Sequence, residues 1–403
     1  MLASSLAQDA PPTTSDHRRL RPWLRLLGLG VVFCALCVPV VWLREVTPAD
    51  PNSTAPLDPF VHIWLLAFVP YAAASALVLF TRPAAGKWRW GEVSLILGGA
   101  LVLRLFLLGL VPNLSHDAWR YVWDARAFLH GYSPYVTLPA AGELQPLRDF
   151  IYANSRFRNA PSIYPPGAQY LYALSYLLAP SNLFALKGVF LLFDMLNCLL
   201  VLRLLTRQKL DPARVLLYAW SPLPVVEFAL EGHLDVVAMT FSLLAVLSAA
   251  RLERRGRLLT GFLVGMGALV KIYPLVLLLP LVNIREWKRD VWLVLACGMT
   301  IVAGYLPFVV LGHGQVFGFF STYANEQGQN AGLVQHIIWS WGSQLHLPPG
   351  QVIAWEHGVA VVLLAGMALT VMVARARERI SLPACVLLLF GLVLAVSSHV
   401  FPW

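Results

Sequence analysis

Apolar runs, each near the ~20 residues needed to cross a ~30 Å hydrocarbon core, follow one another along most of this chain, with short polar stretches between them. Spans on this pattern fall at 24–43, 60–80, 92–112, 164–180, 184–205, 213–230, 234–250, 258–282, 291–312, 351–374 and 382–401. The expectation is an all-α, polytopic transmembrane helical bundle of about eleven spans. The first run follows Arg18, Arg19, Arg21 and Arg25 and has no small-residue cleavage site after it, so it reads as an uncleaved span. Ahead of it, residues 1–22, rich in Ala, Pro, Ser and Thr, read as a disordered cytoplasmic tail.

Composition agrees: 58% of the 403 residues are hydrophobic and 13% charged, which no ordinary soluble domain matches. The net charge of +9 raises the question of nucleic acid. The Lys and Arg, however, lie in short loops between spans, where they act as cytoplasmic anchors. Clusters at the N-terminus, Arg82/Lys87/Arg89, Arg203/Arg207/Lys209/Arg214, Arg251/Arg254/Arg255/Arg257 and Arg375/Arg377/Arg379 then leave 44–59, 113–163, 231–234 and 313–350 external. Two places break the alternation. Full crossings at both 164–180 and 184–205 would put 203–214 outside, and Arg285/Lys288/Arg289 conflicts with the cluster before it. Either partial spans exist there or the rule fails locally. The five cysteines lie in or beside apolar runs, and Cys34-x-x-Cys37 has no second ligand pair, so packing is expected rather than metal or disulfide.

The polar exception is LSHDAWRYVWDARAFLHGYSPY, residues 114–135. As a helix it places Asp117, Arg120, Tyr121, Asp124 and Phe128 on one face and Trp119, Val122, Trp123 and Arg126 on another, with Ser115 as cap and Gly131 and Pro134 as stop. Such a helix suits the membrane interface, its aromatics at headgroup depth and its carboxylates towards water. A plain anchoring helix would show the same pattern. The surrounding loop of about fifty residues argues for more, because long ordered loops are usually functional. It also brings Arg148, Arg156 and Arg158, which could meet a phosphate, and ends at Tyr164-Pro165-Pro166. Elsewhere Glu227, Glu231 and Asp235 recur every four residues around Gly232 and His233, Lys271 and Tyr273 sit inside an apolar run, and Arg104 and Asp194 sit inside others. A mid-bilayer ionisable group costs ~2.5–3.5 kcal/mol, so each should have a partner or a water-lined cavity.

An ordered set of motifs runs through these residues: His116-Asp117, Arg120-Tyr121-x-Trp123-Asp124-x-Arg126, Gly131-x-x-Pro134-Tyr135, Ile163-Tyr164-Pro165-Pro166 with Gln169, and Ser221-Pro222-Leu223 leading to Glu227 and Glu231-Gly232-His233-x-Asp235. Lys271-Ile272-Tyr273-Pro274, Asn330-Ala331-Gly332-Leu333 and His399-x-x-Pro402-Trp403 complete it. In this the chain resembles the GT-C class of integral-membrane glycosyltransferases that use polyprenyl-phosphate sugars, especially the bacterial mannosyltransferase-like branch and the catalytic subunit of GPI mannosyltransferase I. The resemblance implies a GT-C-like catalytic domain over 92–403, with 23–91 as two extra N-terminal transmembrane helices. Relatives continue past the last motif into another span, so a chain truncated at its C-terminus is expected. Where relatives often carry two adjacent acids this chain has His116 before Asp117, and no metal or other cofactor is expected.

The resemblance further implies transfer of a hexose, mannose foremost, from a polyprenyl-phosphate-linked donor to a lipid or glycan acceptor with inversion. Asp117 is then the general base. Arg120, Lys271 and one of Arg156 and Arg158 would clamp the donor phosphate, Arg offering the better fork. Asp124 would orient Arg120, His233 with Glu231 and Asp235 would bind sugar hydroxyls, and Tyr121, Trp123 and Tyr164 would stack on sugar or isoprene. The expected setting is a bacterial inner membrane with the site on the periplasmic face, with no nucleic-acid partner. Two rival classes stay open: a lipid or anion transporter or flippase, which calls for repeat symmetry that the sequence does not show, and a non-catalytic lipid-binding subunit.

Overall fold

The computed structural model describes residues 21–48, 56–318, 332–377 and 379–397. Residues 1–20 of the expected tail, Asn330 and Ala331 of the Asn330 motif, and the motif around His399 lie outside these residues. Among the described residues there are helices and no strands, the all-α polytopic bundle that the apolar runs imply. Six helices are long and apolar enough to cross a membrane: α1 (Pro22–Val46), α2 (Asp58–Phe80), α3 (Lys87–Leu108), and those over Leu183–Arg207, Trp287–Leu311 and Pro349–Ala376. A seventh crossing is the pair Pro212–Ala219 and Pro222–Leu230, bent by 48°. Shorter apolar helices occupy Asp235–Ser248 and Leu382–Val396.

Side-chain contacts sort the chain into two ends. At one, Arg25 binds Asp211 (2.7 Å) and the Arg82 carbonyl (3.0 Å), Arg207 binds the Leu247 carbonyl (2.7 Å), and Arg257 pairs with Asp290 (3.1 Å). At the other, Lys187 donates to the Leu110 carbonyl (2.6 Å), the Glu231 carboxylate meets residues 113–115, and Lys271 pairs with Asp235 (3.0 Å). The basic clusters at Arg25, Arg82, Arg207, Arg257 and Arg289 thus gather at the end away from Asp117.

Two expected spans need correction, and correcting them restores the alternation of charge. The segment 164–180 does not cross. Its helix, Pro166–Leu178, has 13 residues, about 20 Å of length. It lies along the helix Asp117–Leu129 (α4), Tyr172 stacked on Tyr121 at 4.5 Å and Ser181 within 2.8 Å of Arg126. The next helix, Leu183–Arg207, therefore starts at the Asp117 end and carries Arg203 and Arg207 to the basic end. The run 258–282, by contrast, reverses direction within itself. A helix over Arg254–Val270 climbs to Lys271, whose backbone is extended (φ −146°, ψ 146°), and Tyr273–Leu277 with Leu278–Leu281 returns until the Leu281 carbonyl accepts from Arg257 (3.4 Å). Pro274 is seated in the first turn of the return, where it costs no hydrogen bond. Hydropathy averaged over the run cannot see that reversal.

Buried charges hold the bundle. Arg104 and Asp194, each fully buried, meet at 2.6 Å, so these two intramembrane charges are each other's partner. A second Arg104 nitrogen donates to the Ala219 carbonyl (2.7 Å), which the bend before Pro222 frees from helical bonding, and Tyr218 donates to Asp194 (2.5 Å). The N-terminal pair shares this core, with Trp64 donating to the Pro222 carbonyl (3.1 Å) and Tyr71 to that of Leu217 (2.9 Å).

The helix Arg254–Val270 packs against Trp287–Leu311 through Gly261-x-x-x-Gly265. A Cβ on Gly261 would collide with the Leu293 carbonyl, and one on Gly265 would lie 2.9 Å from that of Cys297. Small residues at this spacing let two backbones approach. Gly261→Val is expected to force them apart and cost about 1–3 kcal/mol, read as a lower thermal midpoint in detergent.

Candidate functional site

Local bonding fixes where α4 starts. The Glu231 carboxylate accepts from the backbone N–H groups of Asn113 (3.3 Å), Leu114 (3.1 Å) and Ser115 (3.1 Å), and the Ser115 hydroxyl accepts from Asp117 N–H (3.1 Å). Gly232 turns the chain at φ +72°, where a Cβ would lie 3.0 Å from Lys187 Cγ and 3.4 Å from Ala118 Cβ. That reversal brings His233 alongside Asp117. Hydrogen bonds to a charged group contribute about 1.5–3 kcal/mol, so Glu231→Ala, which orphans three N–H groups, should lower the unfolding midpoint and release residues 113–115 to faster amide exchange.

Asp117 Oδ2 accepts from the Tyr164 hydroxyl (3.3 Å) and lies 4.0 Å from His233 Nδ1, while His233 Nε2 is 3.4 Å from Glu227 Oε2. Lys271 completes the group: it pairs with Asp235 and lies 5.9 Å from the centre of the Tyr164 ring. The side chains of Asp117 and Lys271 are 21% and 25% exposed, against 0% and 1% for His233 and Glu227. A carboxylate and an ammonium therefore face outward from a sealed backing. Burial raises the Asp117 carboxyl above the usual range, even though the Lys271 charge and the Tyr164 and Ser115 hydrogen bonds pull the other way. Burial, aided by Lys271, pushes His233 well down, so its imidazole is neutral. A raised carboxyl beside a neutral imidazole suits proton transfer at ordinary pH.

The other candidates go elsewhere. Arg120 binds Asp124 (2.6 Å) and donates to the carbonyls of Phe157 (2.7 Å) and Ala160 (3.0 Å), so this buried guanidinium braces the loop and is not presented beside Asp117. Tyr121 is sealed between Tyr172 and Tyr164, donating to the Tyr164 hydroxyl (3.2 Å). Trp123 leans on Tyr152 (5.0 Å) and Trp119 on Phe150 (5.3 Å), so residues 142–154 cover the face expected to reach headgroup depth. Arg158 donates to the Ser155 carbonyl (2.9 Å) and covers the Tyr152 ring (4.7 Å), whereas Arg156 is exposed.

Glu227 was not among the expected site residues. Its four-residue spacing to Glu231 suggests one shared face, but Val225–Leu230 is a π-helical turn. The extra residue per turn separates the two acids, sending Glu227 to His233 and Glu231 to residues 113–115. Prolines at 222 and 224 were the available hint of irregular backbone. Among the described residues, no three His, Cys, Asp or Glu side chains gather as metal ligands.

Comparison with known proteins adds the family. Searches of curated proteins and of solved structures returned no match. The family model described as glycosyltransferase family 87 matches residues 163–398, which include Tyr164, Glu227, Glu231, His233, Asp235 and Lys271 but not Asp117. With more than half of its length matched and a multi-pass helical bundle around these residues, the chain belongs to glycosyltransferase family 87 and is a membrane glycosyltransferase.

Proposed function

We propose that the protein moves a hexose, mannose foremost, from a polyprenyl-phosphate donor to a hydroxyl of a lipid or glycan acceptor, with inversion, and that Asp117 is the base. The observation that carries this reading is that the two outward-facing groups, Asp117 and Lys271, both lie against Tyr164, one at its hydroxyl and one over its ring. In one displacement the acceptor O–H gives its proton to Asp117, its oxygen bonds to the anomeric carbon, and the bond from that carbon to the phosphate oxygen breaks. The electron pair leaves with the lipid phosphate. That group is acidic enough to depart without a proton but needs a cation beside it.

Lys271 is the cation we assign, with Asp235 holding it until the donor arrives. Arg120 and Asp124 brace the loop that carries Arg156 and Arg158, which this scheme leaves out of the phosphate site. Tyr164 offers a face to the sugar, backed by Tyr121 and Tyr172. His233, 3.4 Å from Glu227, backs the base from the sealed side of the site, while Glu231 fixes the turn before α4. No metal is needed in this scheme. Since basic clusters favour the cytoplasm, the Asp117 end belongs on the external, periplasmic face of a bacterial inner membrane.

The test is a donor screen. Reconstituted protein is offered polyprenyl-phosphate hexoses and nucleotide hexoses, and lipid-extractable products are read by mass spectrometry. The expected result is a glycosylated product from a polyprenyl-phosphate hexose alone. Product from nucleotide hexoses only would reject the donor class, and solute or lipid flux with no glycosidic product would favour a transporter.

A further inference from the structure

The segment 148–158, RDFIYANSRFR, is not used by the proposed chemistry. Its only acid, Asp149, is taken by Arg126 (2.7 Å). Among the described residues no carboxylate lies within ion-pair reach of Arg148, Arg156 or Arg158. Arg148 and Arg158 are held by carbonyls and by the Tyr152 ring, at 4.8 and 4.7 Å, contacts that fix the guanidinium without cancelling its charge. Phe150 and Phe157 project from the same segment, 60% and 69% exposed. Phe157 keeps a left-handed backbone (φ +54°) that a bulky residue avoids, and the buried Arg120 grips its carbonyl at 2.7 Å. The exposed ring is thus built in place.

Position decides what these groups meet. Arg126 joins Asp149 to Ser181, and Ser181 lies between Leu177 and Leu178 (66% and 69% exposed) and Phe184 (42% exposed), at the mouth of the membrane-crossing helix Leu183–Arg207. The lipid-facing surface of the bundle therefore runs on to Phe150. Aromatic side chains with arginines just beyond a hydrocarbon surface match the headgroup zone.

We infer that residues 148–158 dock on anionic phospholipid headgroups of the surrounding bilayer, Phe150 and Phe157 entering the interface while Arg148, Arg156 and Arg158 bind lipid phosphates. Because Arg120 ties this segment to α4 one turn from Asp117, docking sets the height of the site above the bilayer. This interaction stands apart from the sugar chemistry and does not require it.

The test uses the full chain with Cys34→Ser and a fluorophore on Asn159→Cys, reconstituted in phosphatidylcholine vesicles with or without phosphatidylglycerol, and reads quenching by headgroup spin-labelled lipid. Each basic residue near a charged surface is worth about fivefold in lipid contact. Quenching should be stronger with phosphatidylglycerol, fall several-fold in Arg156→Glu, return in Arg156→Lys and weaken in salt. Equal quenching in both vesicles, indifference to Arg156→Glu, or displacement by free glycerol phosphate would each overturn the inference.

Discussion

Asp117→Asn should abolish sugar transfer while leaving the protein at least as stable as the wild type. The amide keeps the shape and can still accept from Tyr164, but it cannot take a proton from an alcohol. Loss of a positioned base costs about 10²–10⁴ in rate, with donor binding largely retained. Stability moves the other way. The Asp117 carboxyl is raised in the folded protein, so its favourable contribution exists below the ordinary carboxylate range and is lost as pH climbs through the raised value. At neutral pH the wild type bears that loss and the Asn variant does not. By the same sign, wild-type kcat/KM should climb with pH on an acid limb that lies above the ordinary aspartate value of about 4. A variant that transfers at the wild-type rate, or unfolds well below wild type, would reject the role given to Asp117.

Arg104→Met should be the most damaging single change for folding. Removing one partner of a buried pair typically costs about 3–5 kcal/mol, because the other charge is left unpaired. Here Asp194 would keep only Tyr218, and the Ala219 carbonyl at the bend would lose its donor. The expected readout is a large drop in thermal midpoint and a poor yield of monodisperse protein in detergent. Adding Asp194→Leu to Arg104→Met should recover much of the loss, since an apolar pair can replace a buried ion pair at little cost. A single variant with wild-type stability would mean that the pair does not hold the bend.

Much of this was legible in the sequence because the bilayer constrains it: apolar length, basic loops and the need of Arg104 and Asp194 for partners all follow from the cost of charge and bare backbone in lipid. What was not legible depends on direction. The run 164–180 is as apolar as a crossing, and only its packing along α4 shows that it stays at one end. Lys271 was visible as an anomaly, yet the reversal it marks is a matter of backbone angle. In α4, face assignment grouped Asp117 with Arg120, Tyr121 and Asp124, but only Asp117 opens outward. The rest turn to Phe157, Tyr172 and one another, because loop residues far away in sequence supply partners that no local periodicity can reveal. The π-helical turn at 225–230 misplaced Glu227 for a related reason, since spacing arguments assume 3.6 residues per turn.

The central claim is that Asp117 deprotonates the acceptor in a single displacement on the donor's anomeric carbon. Its most direct test is the anomeric configuration of the first product made by the reconstituted protein from a polyprenyl-phosphate hexose of known anomer, read by proton NMR of the glycosidic linkage. Inversion is the predicted result; retention would demand a glycosyl-enzyme intermediate and a nucleophile, and would contradict the account.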